Sequence, residues 1–372
     1  MYVVNINLGH IDQVYCLNIQ TFTPYPKRWI SIHPLTYLAQ EAIIIKTKSD
    51  AAAREVIAMR KRKLAAAALL AAALIICTVS FIKIHNLVHS ASNVDESRYL
   101  TFSVLSDSHT DANKLRAAIV DLYFINMDAD AMFLNGDMVD QGTPEQYDKI
   151  KKVLDETRDL MPGIVVQNIG NHEFFNYKKG RNTLADALNY RKLYFQYTGN
   201  ISVYHDTWIK GYHFISLGSE NANLKGGANP PSAADLSENQ LSWLKTKLQE
   251  NYEPGKPMFV FLHQHLKTSI AGWKGVVQDK ELTDILSKYP EAILFTSHTH
   301  ASLAKDGVLQ TEPFTIVNTG AVAFINEEDS KSLKRVYRES QGLYVEVEGN
   351  KVIINGRDFS KSEWIFSQEI LK

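Results

Sequence analysis

The chain has 372 residues, room for one large domain or two small ones, and its 45% apolar content supports a full buried core, which excludes a disordered polypeptide. The net charge of -1 is unevenly spread: residues 1–92 carry ten Lys/Arg against four Asp/Glu, and residues 93–372 carry 30 against 37. A mildly acidic globular part argues against a nucleic-acid groove built on phosphate neutralisation. Cys16 and Cys77 are the only cysteines, so residues 93–372 can hold neither a disulfide framework nor a thiolate zinc site.

Met59 and the basic run Arg60, Lys61, Arg62 and Lys63 precede 19 uncharged, mostly apolar residues, 64–82. At about 1.5 Å per residue that run just spans a bilayer core. Its basic flank is expected to stay cytoplasmic, which places the following domain outside the cytoplasm, secreted or membrane-anchored. Ser90, Ala91 and Ser92 suit a signal peptidase, so a cleaved signal peptide and an uncleaved N-terminal anchor helix both fit residues 59–92. Residues 1–58 show no sustained period and are expected to be an upstream extension without a fold, with Met59 a natural start.

From residue 99 the pattern alternates strands and helices, the mark of a layered α/β domain over 93–372. Strands are predicted at 99–105, 131–135 and 164–169, separated by helices at 113–124 and 144–160, the second opening on Pro144. A helix at 184–197 precedes a hairpin, 203–209 and 212–217, turning at Lys210-Gly211. Ser237 with Gln240 three residues on predicts a capped helix to residue 248. Strands then follow at 258–262, 293–296 and 314–317, with a closing hairpin of 343–347 and 352–355. No repeat or second domain is apparent, and the Gly- and Pro-containing loop 221–232 is expected to flank the site.

Polar clusters sit just after the apolar runs: Asp107-Ser108-His109, Gly136-Asp137-Met138-Val139-Asp140, Gly170-Asn171-His172-Glu173, His263 and His298-Thr299-His300. Strand ends that converge would gather them at one point, as open α/β sheets do with ligands. Residues two apart at a strand end share a direction, so Asp107 with His109, and His298 with His300, form two forks suited to two ions. Carboxylate, amide and imidazole donors suit divalent Mn, Fe or Zn. Two such ions leave residual positive charge for a phosphate.

This ordered set resembles the calcineurin-like metallophosphoesterases, over roughly residues 99–358. The resemblance implies two packed mixed β-sheets flanked by helices, with a dinuclear centre at the strand ends. It implies that Asp107, His109 and His300 hold one metal, that Asn171, His263 and His298 hold the other, and that Asp137 bridges them. His172 would stand beside the leaving-group oxygen, oriented by Asp140. The implied reaction is attack of a metal-bridging hydroxide on a phosphodiester or phosphomonoester.

Three departures narrow the branch. Gln141 stands where the protein Ser/Thr phosphatases of this superfamily place a phosphate-holding Arg, which leans the reading toward diesters. Asp140 stands where purple acid phosphatases place an iron-ligating Tyr. Ser297 replaces the usual Gly before the final His-x-His; if the backbone there is left-handed, Ser costs about 1 kcal/mol.

Each polar residue alone is more often a loop residue or cap than a ligand; it is their order that reverses the odds. His265 competes with His263, which sits at the strand end. His205 and His213 read as surface or satisfied core histidines, Glu173 as an acid supporting the site from behind its ligands or merely starting a helix, and Tyr177, Lys178, Lys179 and Arg181 as a solvated loop in preference to a grip on a substrate's second phosphate. The alternative function is a surface binding or sensing protein that keeps the metal but not catalysis. No protein partner is inferable, and membrane contact would run through residues 64–82.

Overall fold

A computed structural model describes residues 6–11, 14–19 and 99–372, apart from 180, 225–231, 267–268, 271–272 and 330–331. The chain divides into units Met1–Asn93 and Val94–Lys372. In the first, β1 (Ile6–Ile11) and β2 (Val14–Ile19) pair as an antiparallel hairpin. The signal or anchor run 64–82 lies outside the described residues. Among those described, no helix is long and apolar enough to cross a membrane.

The second unit is built on two six-stranded mixed sheets. The first begins with β3 (Tyr99–Leu105), α1 (Ala112–Ile125), β4 (Ala131–Asn135), α2 (Pro144–Glu156) and β5 (Ile164–Asn168), in which β3, β4 and β5 run parallel. α1 buries Leu115, Ala118, Ile119 and Leu122, one face at helical spacing, and is capped by Asp111. After α3 (Leu184–Thr198), closed by a Thr183–Asp186 capping box, come β6 (His205–Ile209), β7 (Tyr212–Ser216) and α4 (Glu238–Gln249). Ser237 caps α4 as expected, but the buried Gln240 side chain bonds the backbone of Gly218 instead of closing a box.

The second sheet continues with β8 (Met258–Phe261) and, beyond the short β9 (Ser269–Ile270), β10 (Trp273–Lys274) and α5 (Asp279–Leu286), with β11 (Ala292–Thr296). One-turn α6 (Leu303–Asp306) leads to β12 (Val308–Gln310) and β13 (Thr315–Asn318), giving the order β12-β13-β11-β8-β7-β6. A separate hairpin, β14 (Ile325–Asp329) with β15 (Ser332–Val336), precedes β16 (Gln341–Glu348), β17 (Lys351–Asp358) and β18 (Glu363–Leu371). The pair β16–β17 does not close the chain: β18 follows, and the first sheet reads β18-β17-β16-β3-β4-β5.

Strand alternation decides which face goes where. In β8, Phe259 and Phe261 join the layer between the sheets, while Met258 and Val260 pack under α4 and α5. The inter-sheet layer is aromatic: Phe133 stacks on Phe261 with centroids 4.3 Å apart, and Phe102 meets Phe259 edge-on at 5.0 Å. The sheets are thereby clamped face to face, so that the carboxyl ends of β3, β4, β5, β8 and β11 open on the same edge.

Candidate metal centre

Every predicted ligand-bearing cluster lies at that edge. Asp107 follows β3, Asp137 follows β4, Asn171 and His172 follow β5, His263 follows β8, and His298 and His300 follow β11. Asp107, Asp137, Asn171, His263, His298 and His300 are all buried, which polar groups tolerate only when something satisfies them.

The local geometry differs from simple strand alternation. Asp107 (φ 51°), His109 (φ 43°), Asp137 (φ 51°), His298 (φ 72°) and His300 (φ 53°) all have left-handed backbone. Each such residue costs roughly 1 kcal/mol or more, and their clustering marks a constrained site. The forks therefore arise from left-handed turns beyond the strands, and the two histidines of the last cluster part company. Ligand atoms of Asp107, His109 and His300 form one close group, and those of Asp137, His263 and His298 another. A third group, His109, Asp137 and His172, links them.

Distances inside the groups suit shared cations. Asp107 Oδ1 lies 3.2 Å from His300 Nε2, 3.8 Å from His263 Nε2 and 3.9 Å from His109 Nε2. It nevertheless makes no hydrogen bond, and neither do His263 Nε2 and His298 Nε2. His109 Nε2 and His300 Nε2 are 3.0 Å apart. Donor atoms bound at about 2.0–2.1 Å and about a right angle apart are separated by roughly 3 Å, so these residues fit divalent metal ions. The remaining ring nitrogens are anchored: His263 Nδ1 lies 2.8 Å from the Asn135 carbonyl and His300 Nδ1 2.9 Å from that of Phe324.

The charges are mutually dependent. Burial opposes ionisation of Asp107, but the His300 and His263 imidazoles outweigh it and hold its pKa at about 2. Burial lowers His109 to about 4, leaving a neutral imidazole with a lone pair for a cation. At His172 burial also works against the charge, but the carboxylate of Asp137 and then Asp140 prevail and raise it to about 9. His172 Nδ1 sits 2.9 Å from the Asp140 carbonyl and 3.5 Å from its carboxylate, contacts that orient the ring. The same carboxylate is 3.5 Å from His109 Nδ1, so it serves two imidazoles.

His263, not His265, belongs to the group with Asp137 and His298; the buried His265 ring stacks on His298 instead. His213 is a core histidine paired with Asp206 at 2.9 Å. Two glycines admit the close approach of the loops: a Cβ on Gly170 would lie 2.2 Å from Asp137 Oδ1, and one on Gly136 2.7 Å from His263 Nδ1.

Ser297 is not among the left-handed residues, so the expected strain is absent. Its hydroxyl is 2.9 Å from Asn135 Nδ2 and 2.6 Å from Thr319 Oγ1, in a buried network beneath the site. Ser297→Gly is expected to destabilise the protein by about 1–2 kcal/mol, from the lost bonds and added backbone freedom. A higher urea midpoint in the glycine variant would contradict this.

Glu173 is a site-building residue that its position in the sequence understates. Fully buried, it accepts from the backbone N–H of Asp137 at 3.2 Å, Met138 at 2.9 Å and Gly170 at 2.8 Å, tying the β4 and β5 loops together. Burial, then the Asp137 carboxylate, push its carboxyl up to about 7. Tyr177 is exposed, as expected of a solvated loop, and also borders the site. With Trp273, Phe324 and Arg335 it lines the pocket above His109, Asp137, Asp140, His172, His298 and His300. Lys179, by contrast, pairs with Asp186, and Arg181 is exposed. Of the loop 221–232, residues 225–231 lie outside the described set.

Two mixed sheets carrying convergent Asp and His donors at their carboxyl edge define a metallophosphoesterase-type protein. The family model of calcineurin-like phosphoesterases matches residues 100–302, more than half of the chain, and the chain belongs to that family. Two solved structures share the fold. GAP50, described as the anchor in the inner membrane complex of Plasmodium, matches with a TM-score of 0.52 and 14% identity over 73% of this chain and 89% of its own. Purple acid phosphatase PPD1 from yellow lupin (Lupinus luteus) seeds matches with 0.54 and 14% identity, over 73% of this chain and 54% of its own. At such identity the likeness is one of fold alone. No curated protein matches the sequence.

Proposed function

We propose that this protein is a metal-dependent phosphoesterase with a dinuclear centre, acting outside the cytoplasm. The observation that carries the reading is the linked set of donor groups, in which Asp137 belongs both to the His263–His298 group and to that of His109 and His172. Asp107, His109 and His300 would hold one divalent transition ion, and Asn171, His263 and His298 the other, with Asp137 common to both. Mn, Fe and Zn all suit these donors. When bound, such ions lower the pKa of water and polarise the phosphoryl group.

The chain's own contribution lies in His172. The Asp140 contacts occupy Nδ1 and orient the ring, so that a protonated His172 would present Nε2–H for transfer. As water oxygen bonds to phosphorus and the ester P–O bond breaks, the departing oxygen takes that proton, and the water's proton restores His172. A binding protein that kept only the metal would have no use for this arrangement.

Purified protein is expected to bind about two transition ions per chain and to lose hydrolysis on chelation. His172→Ala should keep its metal yet lose roughly 10²–10⁴-fold in turnover. Unimpaired turnover with full metal content would remove the proton-donor role. Location is supported by the four cations before residues 64–82. A reporter fused after Val94 is expected to report outside the cytoplasm, and cytoplasmic signal would reverse the orientation.

A further inference from the structure

The pocket over the metal centre contains a cation delivered from far along the chain. Arg335, on β15, places its guanidinium 4.7 Å from the centroid of Phe324, whose ring stacks on His300 at 4.1 Å. Among the described residues lining the pocket it is the only Lys or Arg, and its side chain is exposed. Its position is built in. Arg335 is the register partner of Asn326, and Asn326 N–H donates to the His300 carbonyl at 2.8 Å. Lys114 on α1 fastens both roots of the hairpin, donating to the carbonyls of Ala323 on one side and of Tyr337 and Glu339 on the other.

Gln141, meanwhile, is committed elsewhere. Its backbone N–H donates to Gln146 and its side-chain oxygen accepts from Tyr177 N–H at 2.8 Å, so it secures the loop that brings Tyr177 to the pocket.

We propose that Arg335 is the anion-binding and specificity-determining residue of the site, gripping the phosphoryl oxygens of a phosphomonoester dianion. The inference rests on the metal-dependent hydrolytic reading. Two divalent cations, the Asp107 and Asp137 carboxylates and an attacking hydroxide together leave one positive charge. A diester monoanion cancels it, whereas a monoester dianion leaves one negative charge, which the Arg335 guanidinium balances with a planar fork of donors. The pocket thus favours monoesters, reversing the lean drawn from Gln141 alone. Tyr177 and Trp273 line the same pocket and add aromatic surface beside the leaving group.

The test titrates inorganic phosphate into the Mn-loaded full chain by calorimetry, comparing wild type, Arg335→Gln and Arg338→Gln. Arg338 is exposed and does not line the pocket. Arg335→Gln is expected to weaken phosphate binding roughly tenfold or more at unchanged metal content, with Arg338→Gln within about twofold. In parallel, kcat/KM should fall by a similar factor on an aryl phosphomonoester but by less than about threefold on an aryl phosphodiester. Equal phosphate binding by wild type and Arg335→Gln, or equal losses on both esters, overturns the assignment and leaves the hydrolytic reading standing. A wild type that cleaves neither ester overturns the hydrolytic reading, while the phosphate titration still judges Arg335.

Discussion

Asp137→Asn is expected to abolish most turnover and to release metal. Asp137 is central because its two oxygens divide the labour: Oδ1 accepts the His172 backbone N–H at 2.8 Å, and Oδ2 lies 3.0 Å from His263 Nε2. Asparagine keeps an acceptor for the His172 N–H, so the loop should stay in place, but it removes the negative charge that two cations would share. Losing about 3–4 kcal/mol of charge stabilisation corresponds to roughly 10²–10³-fold in rate. Metal analysis should show the stoichiometry falling below that of the wild type. Wild-type metal content together with wild-type turnover would mean that Asp137 does not join the two groups, and the dinuclear reading would fail.

Glu173→Ala should be the most destabilising single change at the site. Truncation strands three buried N–H groups, on Asp137, Met138 and Gly170, each costing about 1–3 kcal/mol when no acceptor replaces the lost one. The loss is partly offset, because a buried carboxylate beside Asp137 is itself costly. A net loss of about 3 kcal/mol or more is expected, read from urea midpoints of the purified variants. Glu173→Gln retains one acceptor oxygen and should lose less. A change below about 1 kcal/mol in the alanine variant would show that the loops find other partners for these donors.

Much of the candidate site was legible in the chain because the ligand-type residues come in short runs, each placed directly after an apolar strand. A run such as Gly170-Asn171-His172 carries its own signal, since the strand before it and the glycine that permits close approach are local features. The α-helices with full amphipathic faces and capping residues were equally readable. The β14–β15 hairpin and β18 lacked such a pattern, interleaving charged with apolar positions, whereas α5 carries a buried face of Leu282, Ile285 and Leu286 but is only eight residues long. Edge strands and small hairpins bury little, so selection for an apolar alternation is weak there.

The sequence by itself determined the class of fold, the order of the ligand clusters and the family, because strand periodicity and short-range motifs are properties of neighbouring residues. Only the tertiary structure decided that left-handed turns, rather than strand alternation, aim His298 and His300 apart, that Ser297 adopts an unstrained backbone above a buried network, and that Glu173 ties two loops. It alone brings Arg335 to the same pocket as His172, 163 positions earlier. These outcomes depend on how two sheets clamp through a shared aromatic layer and where left-handed turns aim each side chain, and no local stretch of sequence encodes a distance between residues that meet only after the sheets have packed.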